Sequence, residues 1–306
     1  MPGAAAETAG ARWCPNGVVT ALVTPFRDDE SVDESRLASH VEYLIDAGVN
    51  GVIPIGGSGE YANLRPGERR RVVEVTIEAV AGRVPVAVGA LGLSTHDALE
   101  VGEHAAAAGA DAVMLLPPYY IATSNSGVLD HFVTVAEKIG LPIIAYNNPP
   151  RTARTIDVDL LSELADIDAV IAVKDCDRDF GSISAKIQRT RGRISYMCGD
   201  DDLVYPSLAS GADGAVMAMP NLAPKLSLAL VEAFRAGDNA RALELHEIFV
   251  RLVNVRRIPN HPGPLKEMMA IVGKPVGLGR RPLMPMTPRE REAVVAVVDE
   301  LRAHIH

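Results

Sequence analysis

Eight runs of strand length recur along the chain, each almost continuously apolar: VVTALVTPF, GVIPIGG, VPVAVGA, AVMLLPP, PIIAYN, VIAVKD, ISYMCGDD and GAVMAM. A strand with one wet face alternates apolar and polar residues. A run without that alternation is buried on both faces, as in a parallel sheet covered by helices. Segments with helical spacing lie between the runs, among them 33–47, 66–81, 95–108, 127–139 and 157–165. Pro66 stands in a first helical turn, and Gly48, Gly109 and Gly140 stand where helices should stop. Strand then helix, eight times over, predicts an α/β fold, a (β/α)8 TIM barrel rather than a doubly wound sheet. No G-x-G-x-x-G follows the first run, which weakens the dinucleotide-binding alternative.

Three more helical stretches follow the eighth unit, near 238–257, 262–273 and 287–304, separated by IPNHPGP and VGLGRRPLMPMTP. The expected organisation is a flexible tail over 1–15, a barrel over 16–236 and a C-terminal helical region over 237–306. Trp13, the only tryptophan, is expected to pack over the N-terminal end of the barrel or against a neighbouring subunit. A length of 306 residues with 48% hydrophobic content is enough for one large core. The formal charge of −9 argues against a nucleic-acid partner, which would select a basic face, but leaves room for a local basic pocket. The three cysteines, Cys14, Cys176 and Cys198, have neither C-x-x-C spacing nor a disulfide pattern and take no role. No apolar run reaches the ~18 residues of a membrane span, and the N-terminus lacks the apolar core of a secretion signal. A cytoplasmic setting without membrane contact is expected.

Barrel enzymes carry their chemistry at the C-terminal ends of the strands. The polar residues there are Gly56–Glu60 after the second run, Tyr119 and Tyr120 after the fourth, Tyr146 to Arg151 after the fifth, Lys174 at the sixth and Asp200 to Asp202 after the seventh. Of the six lysines, Lys174 alone ends a strongly apolar run. An amine in a barrel mouth loses hydration, its ammonium form is disfavoured, and the neutral amine can attack a ketone to form an imine. The other reading is a lysine paired with Asp175 or another carboxylate at a strand end. Tyr146, on the neighbouring strand, can shuttle protons or be a packed ring. Arg151 can hold a carboxylate in two-pronged fashion or make an exposed salt bridge. The loop IGGSGE offers open backbone amides and the Ser58 hydroxyl as an anion cradle, with Glu60 anchoring the loop, or is simply a glycine-rich turn.

In ALVTPF, GGSGE, LLPPYY, YNNPPRT, AVKD and GDDD, in that order, the sequence resembles the dihydrodipicolinate synthase / N-acetylneuraminate lyase superfamily from about residue 16 to the C-terminal helices. The resemblance implies a Schiff-base aldolase or lyase, usually a homotetramer (or dimer), with no metal and no organic cofactor. It puts the imine on Lys174, proton transfer on Tyr146, and the carboxylate of a 2-oxo acid on Ser58 with the amides beside Gly57. Val216 matches a residue that lines the imine. Tyr120 matches a tyrosine that some relatives insert into a neighbouring subunit's site. Arg151 matches the arginine that receives the second substrate in the synthase branch. The partners implied are a small 2-oxo acid such as pyruvate and, for condensation, an aldehyde.

One departure bears on the branch. The synthases carry two hydroxyl residues where this chain has Gly57 and Ser58, and the first normally links two tyrosines. Gly57 points to the alternative of an aldolase or dehydratase of 2-oxo-3-deoxy sugar acids or related hydroxy-oxo acids. Leu93 matches an asparagine that binds a lysine effector in some relatives, so lysine feedback is not expected. Two rivals of other classes are a metal-dependent lyase using Asp175, Asp177, Asp179 and Asp200 to Asp202, and a non-catalytic 2-oxo-acid binder. His246 and His261 lie in the C-terminal region and are expected away from the barrel mouth.

Overall fold

The computed structural model describes residues 13–257 and 260–305, so most of the expected tail lies outside the described residues. Eight parallel strands form one sheet: β1 Gly17–Ala21, β2 Gly51–Ile53, β3 Ala87–Ala90, β4 Ala112–Leu115, β5 Ile143–Asn147, β6 Val170–Asp175, β7 Ser195–Cys198 and β8 Gly214–Met217. Each lies beside its sequence neighbours, and β8 returns to pair with β1. A bridge between Val52 and Val86 joins β2 to β3 and closes the ring. Every strand residue is buried, which is why the runs do not alternate: one side fills the barrel and the other meets helices. At the β1–β8 seam the strands approach so closely that a Cβ on Gly214 would stand 2.2 Å from the Gly17 carbonyl oxygen. Only glycine fits there.

The outer layer is α1 Glu34–Ala47, α2 Pro66–Val80, α3 Thr95–Ala108, α4 Asn125–Ile139, a short turn α5 Pro149–Thr152, α6 Val158–Leu164, α7 Phe180–Thr190, α8 Val204–Ser210 and α9 Pro224–Arg235. Asp33, Ser94, Ser124 and Asp157 accept from backbone amides at the starts of α1, α3, α4 and α6. Gly48, Gly109 and Gly140 end α1, α3 and α4 with φ of 98°, 90° and 65°, a left-handed cap that glycine adopts without strain. The helices α10 Asn239–Arg256, α11 Gly263–Ile271, α12 Pro288–Glu300 and α13 Arg302–Ile305 follow.

Two hubs set the geometry of the strand ends. Asn221, fully buried after β8, accepts from the Val23 amide and from His40 Nε2, and donates to the carbonyls of Ala21 and Ala218. It fixes where β1 and β8 stop and how α1 docks. Behind β6, Asp175 accepts from Asn147 at 2.7 Å, Tyr196 at 2.7 Å and Lys186 at 3.1 Å. Trp13 packs against the core, its ring edge beside Gly51 at the start of β2, which is the N-terminal end of the barrel.

Candidate active site

Strand parity decides which side chains meet. Successive residues of a strand point to opposite faces, so Lys174 and Asp175 cannot share one. Asp175 faces the helix layer, where α7 supplies Lys186, itself completely buried. Its carboxylate is saturated by Lys186, Tyr196, Asn147 and the Asp177 amide, so the pairing of Lys174 with Asp175 does not occur. Lys174 faces the barrel interior instead. Tyr146 is its partner in the β5–β6 register, and Lys174 Nζ lies 4.4 Å from the centre of the Tyr146 ring. Lys174 is 5% exposed and Tyr146 is 4% exposed. Burial holds the amine below its ordinary range, while Asp201 and Asp200 pull the other way. Burial raises the Tyr146 phenol well above its ordinary value, so it is a protonated acid at neutral pH.

Lys174 and Tyr146 stand on the wall of a cavity of ≈ 770 Å³, together with Gly57, Ser58, Arg151 and Val216. The structure thus brings six of the seven expected residues into one chamber. The seventh, Tyr120, lies outside it, on the loop after β4, 81% exposed. Leu93 lines a separate cavity of ≈ 380 Å³ with Tyr61, Arg69 and Tyr119.

The loop from Gly56 to Gly59 is held at both ends by residues in the left-handed region, Ile55 at φ 46° and Glu60 at φ 57°. A branched side chain such as Ile55 reaches that region only where its surroundings impose it. Part of that constraint is a clamp from the C-terminal helices. Glu60 meets Lys266 of α11 at 2.6 Å and accepts from the Arg280 amide and from Asn63. A Cβ on Gly57 would lie 4.0 Å from Tyr146 Oη. The hydroxyl missing at Gly57 is therefore missing at the phenol. Asn148 instead holds the phenol, its Nδ2 donating to Tyr146 Oη at 2.6 Å.

His261 corrects the expectation that it lies away from the mouth. It lines the cavity, 3.1 Å from Ser58 Oγ. Arg256 and Arg257 at the end of α10, and Asn260 before α11, line the cavity with it. His246 stays outside, stacked on Tyr205 at a centroid distance of 5.5 Å. Periodicity could not place His261, because loop direction is set by packing; the three prolines and one glycine of IPNHPGP mark only a break.

The acidic residues have other duties. Lys186 also meets Asp177 at 2.8 Å, Asp179 accepts from the first amides of α7, and Asp200 and Asp202 pair with Arg178 and Arg257. Asp201 pairs with Arg256. Among the described residues no three His, Cys, Asp or Glu side chains are grouped to hold a metal ion, and none of their helices is long and apolar enough to cross a membrane. Cys176 lines the cavity, but burial pushes its thiol up to about 12, which leaves it without thiolate character.

A match to the Dihydrodipicolinate synthetase family spans residues 14–301. A 4-hydroxy-tetrahydrodipicolinate synthase of Methanothrix thermoacetophila is 38% identical over 278 residues, covering 90% of this chain and 93% of that protein. Among solved structures, a chloride-inhibited dihydrodipicolinate synthase of Acinetobacter baumannii complexed with pyruvate has a TM-score of 0.91 and 30% identity, covering 95% of this chain and 99% of that one. A prophage protein of the dihydrodipicolinic acid synthase family from E. coli K12, in complex with pyruvate, has a TM-score of 0.89 and 29% identity, covering 94% and 98%.

Proposed function

The chain belongs to the dihydrodipicolinate synthetase family and is a lyase of that family, and we propose that it works by joining Lys174 to pyruvate, or to a 2-oxo acid derived from it, as an imine. The observation that carries this is a lysine at the end of β6 whose neighbouring carboxylate is already saturated. Lys174 is left as a desolvated amine facing a cavity with a protonated phenol beside it.

Lys174 Nζ attacks the ketone carbon, and the carbinolamine loses water to give a protonated imine. Tyr146 supplies the proton that leaves with the hydroxyl. Loss of a proton from the adjacent methyl group gives an enamine, which adds to an aldehyde; the reverse steps cleave the same bond. Asn148 donates to Tyr146 Oη and holds the phenol in place beside Lys174. Ser58 and the amides at Gly57 and Ser58 receive the carboxylate, and Val216 packs beside the imine. Arg151 receives the distal carboxylate of the aldehyde. Condensation to 4-hydroxy-tetrahydrodipicolinate is the reaction its curated relatives are named for, and the pyruvate bound in two structural relatives supports the first substrate.

Gly57 favours a second reading, cleavage or dehydration of 2-oxo-3-deoxy sugar acids, because the hydroxyl of the synthase pattern is absent while the chamber keeps room for a longer chain. No step in either scheme calls for a metal or an organic cofactor. The strongly exposed Tyr120 and Ile121 support an assembly in which this loop is covered by a partner, a homotetramer or dimer. Unpaired Cys14, Cys176 and Cys198 support a cytoplasmic setting. A sequence boundary near 236 fits the gap between α9 and α10.

Borohydride added with pyruvate should leave a reduced three-carbon adduct on Lys174, located by peptide mass. An unlabelled Lys174 in protein that still turns over pyruvate would refute the scheme. Product analysis with aspartate semialdehyde and with 2-oxo-3-deoxy sugar acids then decides between the two readings.

A further inference from the structure

A chain of four side chains runs along the wall of the chamber: Ser58 from the β2 loop, His261 before α11, Arg256 at the end of α10 and Asp201 after β7. His261 Nε2 lies 3.1 Å from Ser58 Oγ, and Nδ1 lies 3.1 Å from Arg256 Nη1. Arg256 Nη2 donates to Asp201 at 2.5 Å, and Asp201 also accepts from the amides of Ala218 and Met219. All four line the cavity; Ser58, Arg256 and Asp201 are buried and His261 is half-buried.

The direction of each hydrogen bond follows from chemistry. A guanidinium has only donors and stays charged, so His261 Nδ1 must offer its lone pair. Burial, with Arg256, Arg151 and Lys174 nearby, holds the imidazole well below its ordinary pKa and hence neutral. A neutral ring with a bare Nδ1 carries its hydrogen on Nε2. That N–H therefore donates to Ser58 Oγ. The Ser58 hydroxyl hydrogen finds no acceptor among the hydrogen bonds of the described residues, and it faces a chamber whose proposed ligand is an anion.

We propose that His261 is a positioning residue that makes Ser58 a fixed hydrogen-bond donor, so that the chamber selects the carboxylate of a 2-oxo acid over the neutral amide of the same carbon skeleton. Asp201 and Arg256 set the tautomer, His261 sets Ser58, and Ser58 meets the ligand. A carboxylate presents acceptors to the hydroxyl and to the loop amides at once. A carboxamide has one acceptor oxygen and turns N–H against a donor at the other position, which leaves a hydrogen bond unmade. The inference rests on the imine reading of the site.

The test is borohydride trapping with pyruvate and with pyruvamide, read as adduct mass against ligand concentration, on the full chain. His261→Leu is expected to raise the half-saturating pyruvate concentration about 10-fold and leave the rate at saturation within about twofold. The preference for pyruvate over pyruvamide should narrow by a similar factor. His261→Gln, which restores an N–H donor, should recover part of both. Ser58→Ala combined with His261→Leu should bind no worse than Ser58→Ala alone, as a residue acting only through Ser58 requires. His261→Asn keeps an acceptor for Arg256 but shortens the arm to Ser58, and it carries the same expectation if His261→Leu does not fold. Additive losses in the double variant, or an unchanged preference for pyruvate, overturn the proposal. Absence of any adduct on wild-type Lys174 would instead overturn the imine reading, so the two failures are distinct.

Discussion

Lys266→Met should cost this protein about 3–5 kcal/mol of folding stability, because it strips the cation from a carboxylate that cannot reach water. The Lys266 and Glu60 side chains are 0% and 1% exposed, with Nζ 2.6 Å from Oε1. At an effective dielectric of about 20 their attraction is about 6 kcal/mol, but it must first offset several kcal/mol of lost hydration for each ion. The intact pair therefore contributes little net stability, whereas half of it is expensive. Lys266 also donates to the carbonyls of Thr24 and Leu278, which puts its removal at the upper end of the range. Glu60→Gln should cost less, about 2 kcal/mol. The lysine keeps those carbonyls, and burial already lowers its pKa, so it can shed its proton. Lys266→Met with Glu60→Gln should cost well below the sum of the single changes. Urea unfolding followed by circular dichroism gives the midpoints, and unchanged slopes show that the native and unfolded states are comparable. A Lys266→Met loss under about 1 kcal/mol, or strict additivity in the double variant, would refute the account of the clamp.

Asn148→Leu removes the amide that holds Tyr146 Oη and should lower kcat about 3–10-fold, the worth of one neutral hydrogen bond; steady-state kinetics that show no change would remove Asn148 from the proton path. The rate of imine trapping should rise with pH, because only the neutral amine reacts, with a midpoint below the ordinary lysine value of 10.5; a pH–rate profile centred at or above that value contradicts a desolvated Lys174. His40, buried and hydrogen-bonded to Asn221, has its pKa lowered from 6.5 to about 4 by burial. Between those values the unfolded chain takes a proton that the folded chain refuses. Its contribution is therefore present above pH 6.5 and lost as pH falls toward 4, about 3 kcal/mol in all. His40→Gln should flatten that part of the stability–pH curve measured by urea titration.

What could be read from the sequence is what obeys a local period. The continuous apolar runs gave the eight strands, and α1, α3 and the C-terminal helices lie within a few residues of their expected ranges. Lys174, Tyr146, Ser58 and Arg151 could be expected at one chamber because strand ends in such a barrel face it, whereas Val216 came only with the family resemblance. The segment 157–165 pointed to one helix between β5 and β6, but α5 precedes it, since Pro149 and Pro150 favour a helical first turn. Asn148 was passed over because a residue between a strand and a proline reads as a turn former. His261 and Ser58 are 203 positions apart, and nothing in either neighbourhood reports the other. The same holds for Glu60 with Lys266: a buried ion pair is visible in sequence only as two ordinary charged residues.

Arg256, His261, Lys266 and Arg280 all come from the last quarter of the chain, yet each bears on the cradle loop or the wall of the chamber. During synthesis the barrel strands emerge first, at about 5–20 residues per second. The ribosome thus releases an unfinished cylinder whose Glu60 still lacks its counter-ion and whose Ser58 has no one to orient it. A premature stop after β8 would yield every strand and the nucleophile itself, but a catalyst with its substrate cradle unbraced.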